Sequence, residues 1–505
     1  MMMVRQSVTR FAAMLAATML FPLFQASAPP AQCAAPMNAW CASSVNCPNA
    51  RTGPMVALHD TNAQGGSAQW RCYDPGTLDA ATHSRYATGS DYCTRDAPLR
   101  NQLAHCLDPS VPTPAPPPSP PPPPYLSEVF RFGEAGVACI RIPSIIMAGD
   151  NAAAGGGDGG GGGDGGGGGG GSPLLAFAEC RSSTGDGCVP AGSSPSAAAA
   201  APDQIAHVCM KRSEDGGATW SNITYPFGAP STGAPLSTQP NAVWDGARQQ
   251  VVLQNLQGDS NFQVVSKDLG KTWSAPVDIG AFLGRFRGIE TGPGRGLALS
   301  QSGGAHAGRL LFIGHHGAYV EDAVWYSDDG GVTYNLSTST FPKMDEAQLV
   351  ELSDGSVMAN MRNKHELEGD CRGVAVSNAT EGGDVFGAIR PDAALISPVC
   401  MASIISVPPS AAHPVRALFF SNPATTSGRT HMTVRRSDDD GRSWAASQLV
   451  FSGGAAYSCL TRVPQGDNKV GLLWETTALG CSGPSCRMLF TVLPTNFTTV
   501  AARQE

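Results

Sequence analysis
The eight-residue pattern Ser-x-Asp-x-Gly-x-Thr-Trp constrains this chain more than any other feature. It occurs at residues 213–220 and 266–273, with close variants at 327–334 and 437–444. The starts are separated by 53, 61 and 110 residues, and the last gap, about twice the others, holds a degenerate copy at 377–386. The Asp can accept hydrogen bonds from backbone N–H groups of its own loop, the Gly permits positive φ, and the Trp can cover the hairpin with apolar area. Asp215, Asp268, Asp329 and Asp439 are therefore read as turn formers; each copy offers too few converging oxygens to bind a metal. Between the copies lie short apolar runs such as 251–253, 309–313, 417–420 and 471–474, bounded by Gly, Asp, Asn or Pro. No helical periodicity persists. Units of ~50–60 residues, each with room for four strands, predict an all-β propeller over residues 125–505 rather than a sandwich.

The rest of the chain is organised differently. Arg5 and Arg10 precede an apolar run that ends in Ala26-Ser27-Ala28, which predicts a secretory signal peptide at 1–28, too short to span a bilayer. No later segment is apolar enough to cross a membrane, and the mature chain is expected to be secreted or lumenal: extracellular, wall-associated, or in a lysosome or vacuole. Cys33, Cys41, Cys47, Cys72, Cys93 and Cys106 predict a small disulfide-rich domain at 29–108, with 15 possible pairings. The nine remaining cysteines are an odd set and leave at least one thiol outside an intramolecular pair; Cys481 and Cys486 could close a tight loop. Pro makes up 11 of the 16 residues at 109–124, a semi-rigid spacer, and Gly 15 of the 17 at 155–171, a flexible loop insertion. These tracts concentrate 26 of an unusual total of 60 Gly and 40 Pro. Hydrophobic content of 42% and a net charge of only -8 argue against a disordered chain, and the absence of a Lys/Arg run argues against nucleic acid as a partner.

The repeats resemble the Asp boxes (BNR repeats) of the exo-α-sialidase, or neuraminidase, family, and the resemblance extends in order over residues 125–495. Ile140-Arg141-Ile142-Pro143 resembles that family's first arginine motif, and the segment 175–181 its following strand. Glu346 falls in a segment like the one carrying the catalytic Glu; Arg362 and Arg429 match the second and third arginines. Tyr457 falls in a segment like that of the nucleophile, and Glu475 matches the residue that buttresses the first arginine. The resemblance implies a six-bladed β-propeller acting as a retaining exo-α-sialidase on sialylated glycans, glycoproteins or glycolipids, or on those of a related nonulosonic acid. It implies no cofactor and no metal. A trans-sialidase and a catalytically inactive sugar-binding propeller are the alternatives.

The chemistry of such a substrate explains the residue types. Three guanidinium groups that do not deprotonate, Arg141, Arg362 and Arg429, suit the carboxylate carried on the anomeric carbon. Beside that anion a neutral Tyr457 can approach where a carboxylate nucleophile would be repelled, with Glu346 as its general base; sialidases with a Tyr nucleophile are a named exception to the two-carboxylate scheme. Both Glu346 and the arginines are expected to favour the developing phenolate. The resemblance places the general acid on the loop after the second motif, at Asp186 or, alternatively, Asp203. Glu179 and Arg181 line the substrate pocket or pair with each other, and His315 and His316, in Gly-His-His-Gly, contact substrate or serve the loop, with His316 the candidate for the pocket. Taken singly, each of these residues has an ordinary structural reading, and only their joint, ordered match points to a site. Asn222, Asn335, Asn378 and Asn496 begin glycosylation sequons.

Overall fold
The structure is a computed structural model that describes residues 125–131, 133–149, 171–182, 206–300, 306–317, 320–409, 415–464, 468–476 and 487–497. It also describes the backbone of two short strands, 56–60 and 69–73. The chain divides into two units at Pro120/Pro121. In the first, β1 (Val56–Asp60) and β2 (Gln69–Tyr73) pair antiparallel. The expected leader at 1–28, the pairing of the six N-terminal cysteines, the proline tract, nearly all of the glycine loop and the 481/486 pair lie outside the described residues.

The second unit is all-β, with its sheets in a six-blade arrangement. After β3 (Tyr125–Arg131), blade 1 comprises β4 (Cys139–Met147), β5 (Leu174–Arg181) and β6 (Ala206–Ser213), and blade 2 comprises β7 (Thr238–Asp245), β8 (Gln250–Gln257), β9 (Ser260–Ser266) and β10 (Val277–Asp278). Blade 3 starts with an interrupted strand: β11 (Glu290–Thr291) and β13 (Leu297–Ala298) both pair with β14 (Leu310–His316), while β12 (Gly294–Arg295), between them, pairs with β7. It continues through β15 (Glu321–Ser327) and β16 (Asn335–Pro342). Blade 4 is β17 (Met344–Glu351), β18 (Val357–Asn363), β19 (Cys371–Ser377) and β20 (Arg390–Ile396). Blade 5 is β21 (Ser403–Val407), β22 (Ala417–Pro423), β23 (Thr430–Ser437) and β24 (Ala446–Gly454). Blade 6 is β25 (Ser458–Arg462), β26 (Lys469–Glu475) and β27 (Arg487–Pro494), and its fourth strand is β3, so the ring closes by pairing the first strand of the unit with the last.

Burial follows strand position. The first strands β4 and β17 and the second strand β5 are buried almost throughout, β5 with the apolar run Leu174 to Ala178 and β17 with Asp345, Glu346, Gln348 and Glu351 buried as well, whereas the outer strand β20 is mostly exposed. Fully burying one such Phe or Leu contributes roughly 1.5–3 kcal/mol. Cys180 and Cys209, on adjacent strands of blade 1, form a disulfide, and Cys139 is also disulfide-bonded. Cys371, Cys400 and Cys459 are free and buried.

The four Asp boxes share one hydrogen-bond scheme. In the second, Ser266 Oγ donates to Asp268 (2.8 Å) and accepts from Gly270 N (2.8 Å), while Asp268 accepts from Thr272 N (2.8 Å) and Lys271 N (3.1 Å). The degenerate copy keeps part of the scheme: Asn378, one residue after Ser377 instead of two, accepts from the N–H groups of Thr380 and Glu381 (3.1 Å each), and Ser377 Oγ accepts from Gly383 N (3.2 Å). The aromatic residue also seals the seam with the preceding blade, while Tyr334 and Trp444 pack as well on Phe312 and Phe420 of their own blades. Trp220 packs edge-on against Phe490 of blade 6 (5.5 Å), and Trp273 against Phe177 of blade 1 (6.1 Å). Tyr334 bonds Gln254 and Gln263 of blade 2, Phe386 packs on Phe341 of blade 3 (5.2 Å), and Trp444 donates to Asp392 of blade 4 (3.3 Å). The blade interface offers more apolar area than a two-residue hairpin tip, so the ring goes there. Gly217 has φ +97°, and a Cβ at that position would collide with the Phe490 ring.

Candidate active site
Register separates the two ends of every blade. Arg141 lies opposite Glu179 and Glu179 opposite Val208, whereas Met147, Leu174 and Ser213 align at the other end, where the first Asp box begins. Arg362 is opposite Asp345, again at the end away from the Asp boxes.

At this end the strands are irregular. In β4 the register shifts between Arg141 and Ser144, and Ile142 takes φ +61°, a strained conformation for a β-branched residue, costing of order 1–3 kcal/mol. The bend aims the Ile142 N–H at Glu475 Oε1 (2.9 Å). A hydrogen bond to a charged group, worth about 1.5–3 kcal/mol, is large enough to offset that strain. A second shift, between Asp345 and Ala347 in β17, lets the consecutive residues Asp345 and Glu346 both meet Arg362, which a regular strand would forbid.

Glu475, at the end of β26, organises two motifs at once. Its carboxylate accepts from Arg141 Nε (3.1 Å) and an Arg141 terminal nitrogen (3.3 Å), from Ile142 N, and from Tyr457 N (3.1 Å). Tyr457 is thereby fixed among three guanidinium groups. Arg141 Cζ is 4.9 Å and Arg429 Cζ 5.6 Å from its ring centroid, and an Arg362 terminal nitrogen is 3.3 Å from its hydroxyl. The Tyr457 hydroxyl donates to Glu346 Oε1, and Glu346 Oε2 accepts from Arg362. Arg429 also donates to Val399 O (3.1 Å).

The electrostatics differ from the sequence expectation in one respect. Burial and the negative charge of Glu346 hold the Tyr457 hydroxyl well above its usual range, outweighing Arg362 and Arg141, so the resting residue is a neutral phenol and Glu346 disfavours a free phenolate. Burial opposes ionisation of Glu346 too, but the charges of Arg362 and His315 and the Tyr457 hydrogen bond outweigh it and hold its carboxyl below the usual value. The pair is thus poised as acid donor and ionised acceptor.

The remaining sequence-predicted residues fall as follows. Arg181 and Glu179 pair with each other (2.9 Å from Nε), and Glu179 also accepts from Gln239 N (2.7 Å). His316 packs edge-on against Phe286 (5.6 Å), while its neighbour His315 turns to the opposite face and enters the acidic cluster. Asp186 and Asp203 lie outside the described residues. No group of three His, Cys, Asp or Glu among the described residues is arranged to hold a metal ion.

Sequence reasoning missed Asp345, Glu290 and Arg372, and read His315 only as a substrate-contact or loop histidine beside His316. The fully buried Arg372 donates to Cys400 O (2.7 Å), Asn360 Oδ1 (2.8 Å) and Glu346 O (3.2 Å), bracing the backbone that carries Glu346. Burial, with the charge of Arg362, lowers its pKa to about 10. A charged residue opening the otherwise apolar strand Cys371–Ser377 was the available signal.

Residues 247–470 match the BNR repeat-like domain family. The chain is 35% identical over 299 residues to a sialidase of Micromonospora viridifaciens, covering 53% of this chain and 44% of that protein. It is 32% identical over 308 residues to a sialidase of Bacteroides fragilis, covering 54% of each. The chain thus spans about half the length of these curated relatives. Among solved structures, the intramolecular trans-sialidase from Ruminococcus gnavus superimposes with a TM-score of 0.54 at 17% identity, over 74% of this chain and 99% of that one, a likeness of fold.

Proposed function
From the premise that the propeller belongs to the sialidase family with BNR repeats, we propose that the protein is a retaining exo-α-sialidase that releases terminal sialic acid, or a related nonulosonic acid, from glycoproteins or glycolipids. The observation that carries this reading is the Tyr457 hydroxyl donating to Glu346 inside the ring of Arg141, Arg362 and Arg429. The three guanidiniums bind the substrate carboxylate, and Glu475 holds Arg141 against its neighbours' repulsion. Glu346 takes the phenolic proton as the Tyr457 oxygen attacks the anomeric carbon, and the aglycone oxygen leaves with a proton from the general acid. Water, activated by the same acid in its conjugate form, then displaces Tyr457, which recovers its proton from Glu346. Two displacements at one carbon retain configuration. We assign the general acid to the segment after Arg181, to Asp186 in preference to Asp203. Secretion, or delivery to a lumen, is part of the proposal, and the Cys180–Cys209 disulfide supports it.

The test is release of fluorophore from a 4-methylumbelliferyl α-sialoside by the full chain beside its Tyr457→Phe variant. Turnover lost in the variant is the expected result. A folded protein with no turnover between acidic and neutral pH would sink the reading and favour a sugar-binding propeller, and sialyl transfer to added lactose in preference to water would replace hydrolysis by trans-sialylation.

A further inference from the structure
His315 occupies a position that the mechanism above leaves unused. Its side chain is 2% exposed, its Nε2 is 3.1 Å from Glu290 Oε2, and its Nδ1 is 3.9 Å from Asp345 Oδ1. It is the cross-strand partner of both Glu290 on β11 and Asp322 on β15, so three elements present carboxyl groups to one imidazole: β11 with Glu290, β15 with Asp322, and β17 with Asp345 and Glu346. The cations beyond them are Arg362, which grips Asp345 (3.2 Å from Nε) as well as Glu346, and Arg372, whose hydrogen bonds go to Asn360 and to backbone carbonyls.

Two neighbouring buried carboxyl groups do not both ionise on one guanidinium without cost. We propose that His315 is a positioning residue for the general base: as an imidazolium bridging Glu290 and Asp345, it supplies the second positive charge that keeps Glu346 ionised against Tyr457. The inference deepens the function proposed above and rests on it. Burial alone would lower the His315 pKa, yet the hydrogen bond and charge of Glu290 and the charges of Asp345 and Glu346 hold it above the ordinary value. Burial and the charge of Glu346 push Asp345 up, and Asp322, fully buried and without a hydrogen-bond partner for either oxygen, is pushed well up by burial and Asp345. Ionisation is therefore disfavoured at Asp322 and Asp345 and favoured at Glu346. Glu290, 42% exposed and also bonded by Gln239 (3.0 Å), ties the imidazole to the mouth of the site.

Two measurements on the full chain test this. The first follows the imidazole carbon resonances of ¹³C-histidine-labelled protein, without substrate, against pH, with His315 assigned by the signal lost in His315→Gln. It should titrate above the ordinary value of about 6.5, and Glu290→Gln, at a part-exposed position that leaves the core untouched, should lower the midpoint. The second compares pH–rate profiles on the fluorogenic sialoside. In His315→Gln the acid limb of kcat/KM should move to higher pH and kcat should fall roughly tenfold, one pKa unit's worth, with KM nearly unchanged because the substrate's arginines are intact. An imidazole that titrates at or below the ordinary value, or a His315→Gln profile that superimposes on the parent's, would overturn the role. Absence of sialoside turnover in the parent chain would defeat the proposed function instead, and the titration would still decide the charge state of His315.

Discussion

The two ends of the propeller are built from the same strands by opposite means. At the Asp-box end each turn satisfies itself: Asp268 finds its donors within four residues, and the scheme recurs in all four Asp boxes. At the other end almost nothing is local. Arg141 meets Glu475 334 residues away, Tyr457 meets Glu346 across 111, and the strands that carry Arg141 and Glu346 are bulged, the first with Ile142 at positive φ. One end uses hydrogen bonds to fix the chain; the other uses the fixed chain to hold charges in an arrangement that no short segment would adopt. Stability and chemistry are thereby assigned to different ends, and substitutions should separate them.

The widest separation is expected from Tyr457→Phe. Removing the proposed nucleophilic oxygen should cut kcat by about 10⁴-fold or more, the scale seen when such a group is deleted, while the melting temperature, read by calorimetry, stays close to the parent's. A large loss of stability would show that the charged end also holds the fold. Next comes Phe177→Ala in the seam with Trp273: the cavity should cost about 3–5 kcal/mol by urea unfolding, with kcat/KM of the folded fraction unchanged. Activity falling in parallel would break the division.

Arg429→Lys replaces a planar fork by a point charge. It should raise KM by roughly tenfold or more, about 1.4 kcal/mol or above, and kcat should change less, because Lys cannot reproduce paired contact with a carboxylate. Smallest is Asp268→Ala, which should cost about 1–2 kcal/mol for the lost hydrogen bonds and leave activity untouched.

The same turn gives a pH signature. Despite slight burial, the hydrogen bonds from Thr272, Ser266 and Lys271 lower the folded pKa of Asp268 to about 2, and Asp215, Asp329 and Asp439 shift in the same direction. Carboxylates depressed in the folded state contribute stability above their unfolded pKa, near 4, and lose it as pH falls through the folded value. Stability by urea unfolding should therefore decline between about pH 4 and pH 2, and Asp268→Asn should flatten part of that slope.

The same contrast governs how much of the molecule is legible in its sequence. The Asp boxes and the propeller they predict are written in contiguous residues, and a linear reading finds them. The seam role of Trp220 and Trp273 escapes such a reading, because it depends on which blade lies next. Arg141, Glu346, Arg362, Arg429, Tyr457 and Glu475 came from resemblance to a family, since no spacing rule relates residues hundreds of positions apart. Glu290 and Arg372 escaped altogether, and His315 was read only as a substrate-contact or loop histidine: their meaning arises only where strands of two blades meet. The choice of His316 over His315 shows the limit plainly, because adjacent residues in a strand face opposite ways and sequence alone does not say which face holds the site.

Ring closure by β3 and β27 has a consequence for biosynthesis. Arg141 lies just after the first strand of the ring and its counter-charge, Glu475, just before the last, so the pocket straddles the seam where the circle is joined. During synthesis on the ribosome, blades 2 to 5 can assemble while β3 waits for a partner that has not yet emerged, and no partial product can own a finished pocket. A nascent chain halted before β27 would be well on its way to a fold with its ring still open, and the proposed activity is expected to report that translation reached the closing strand.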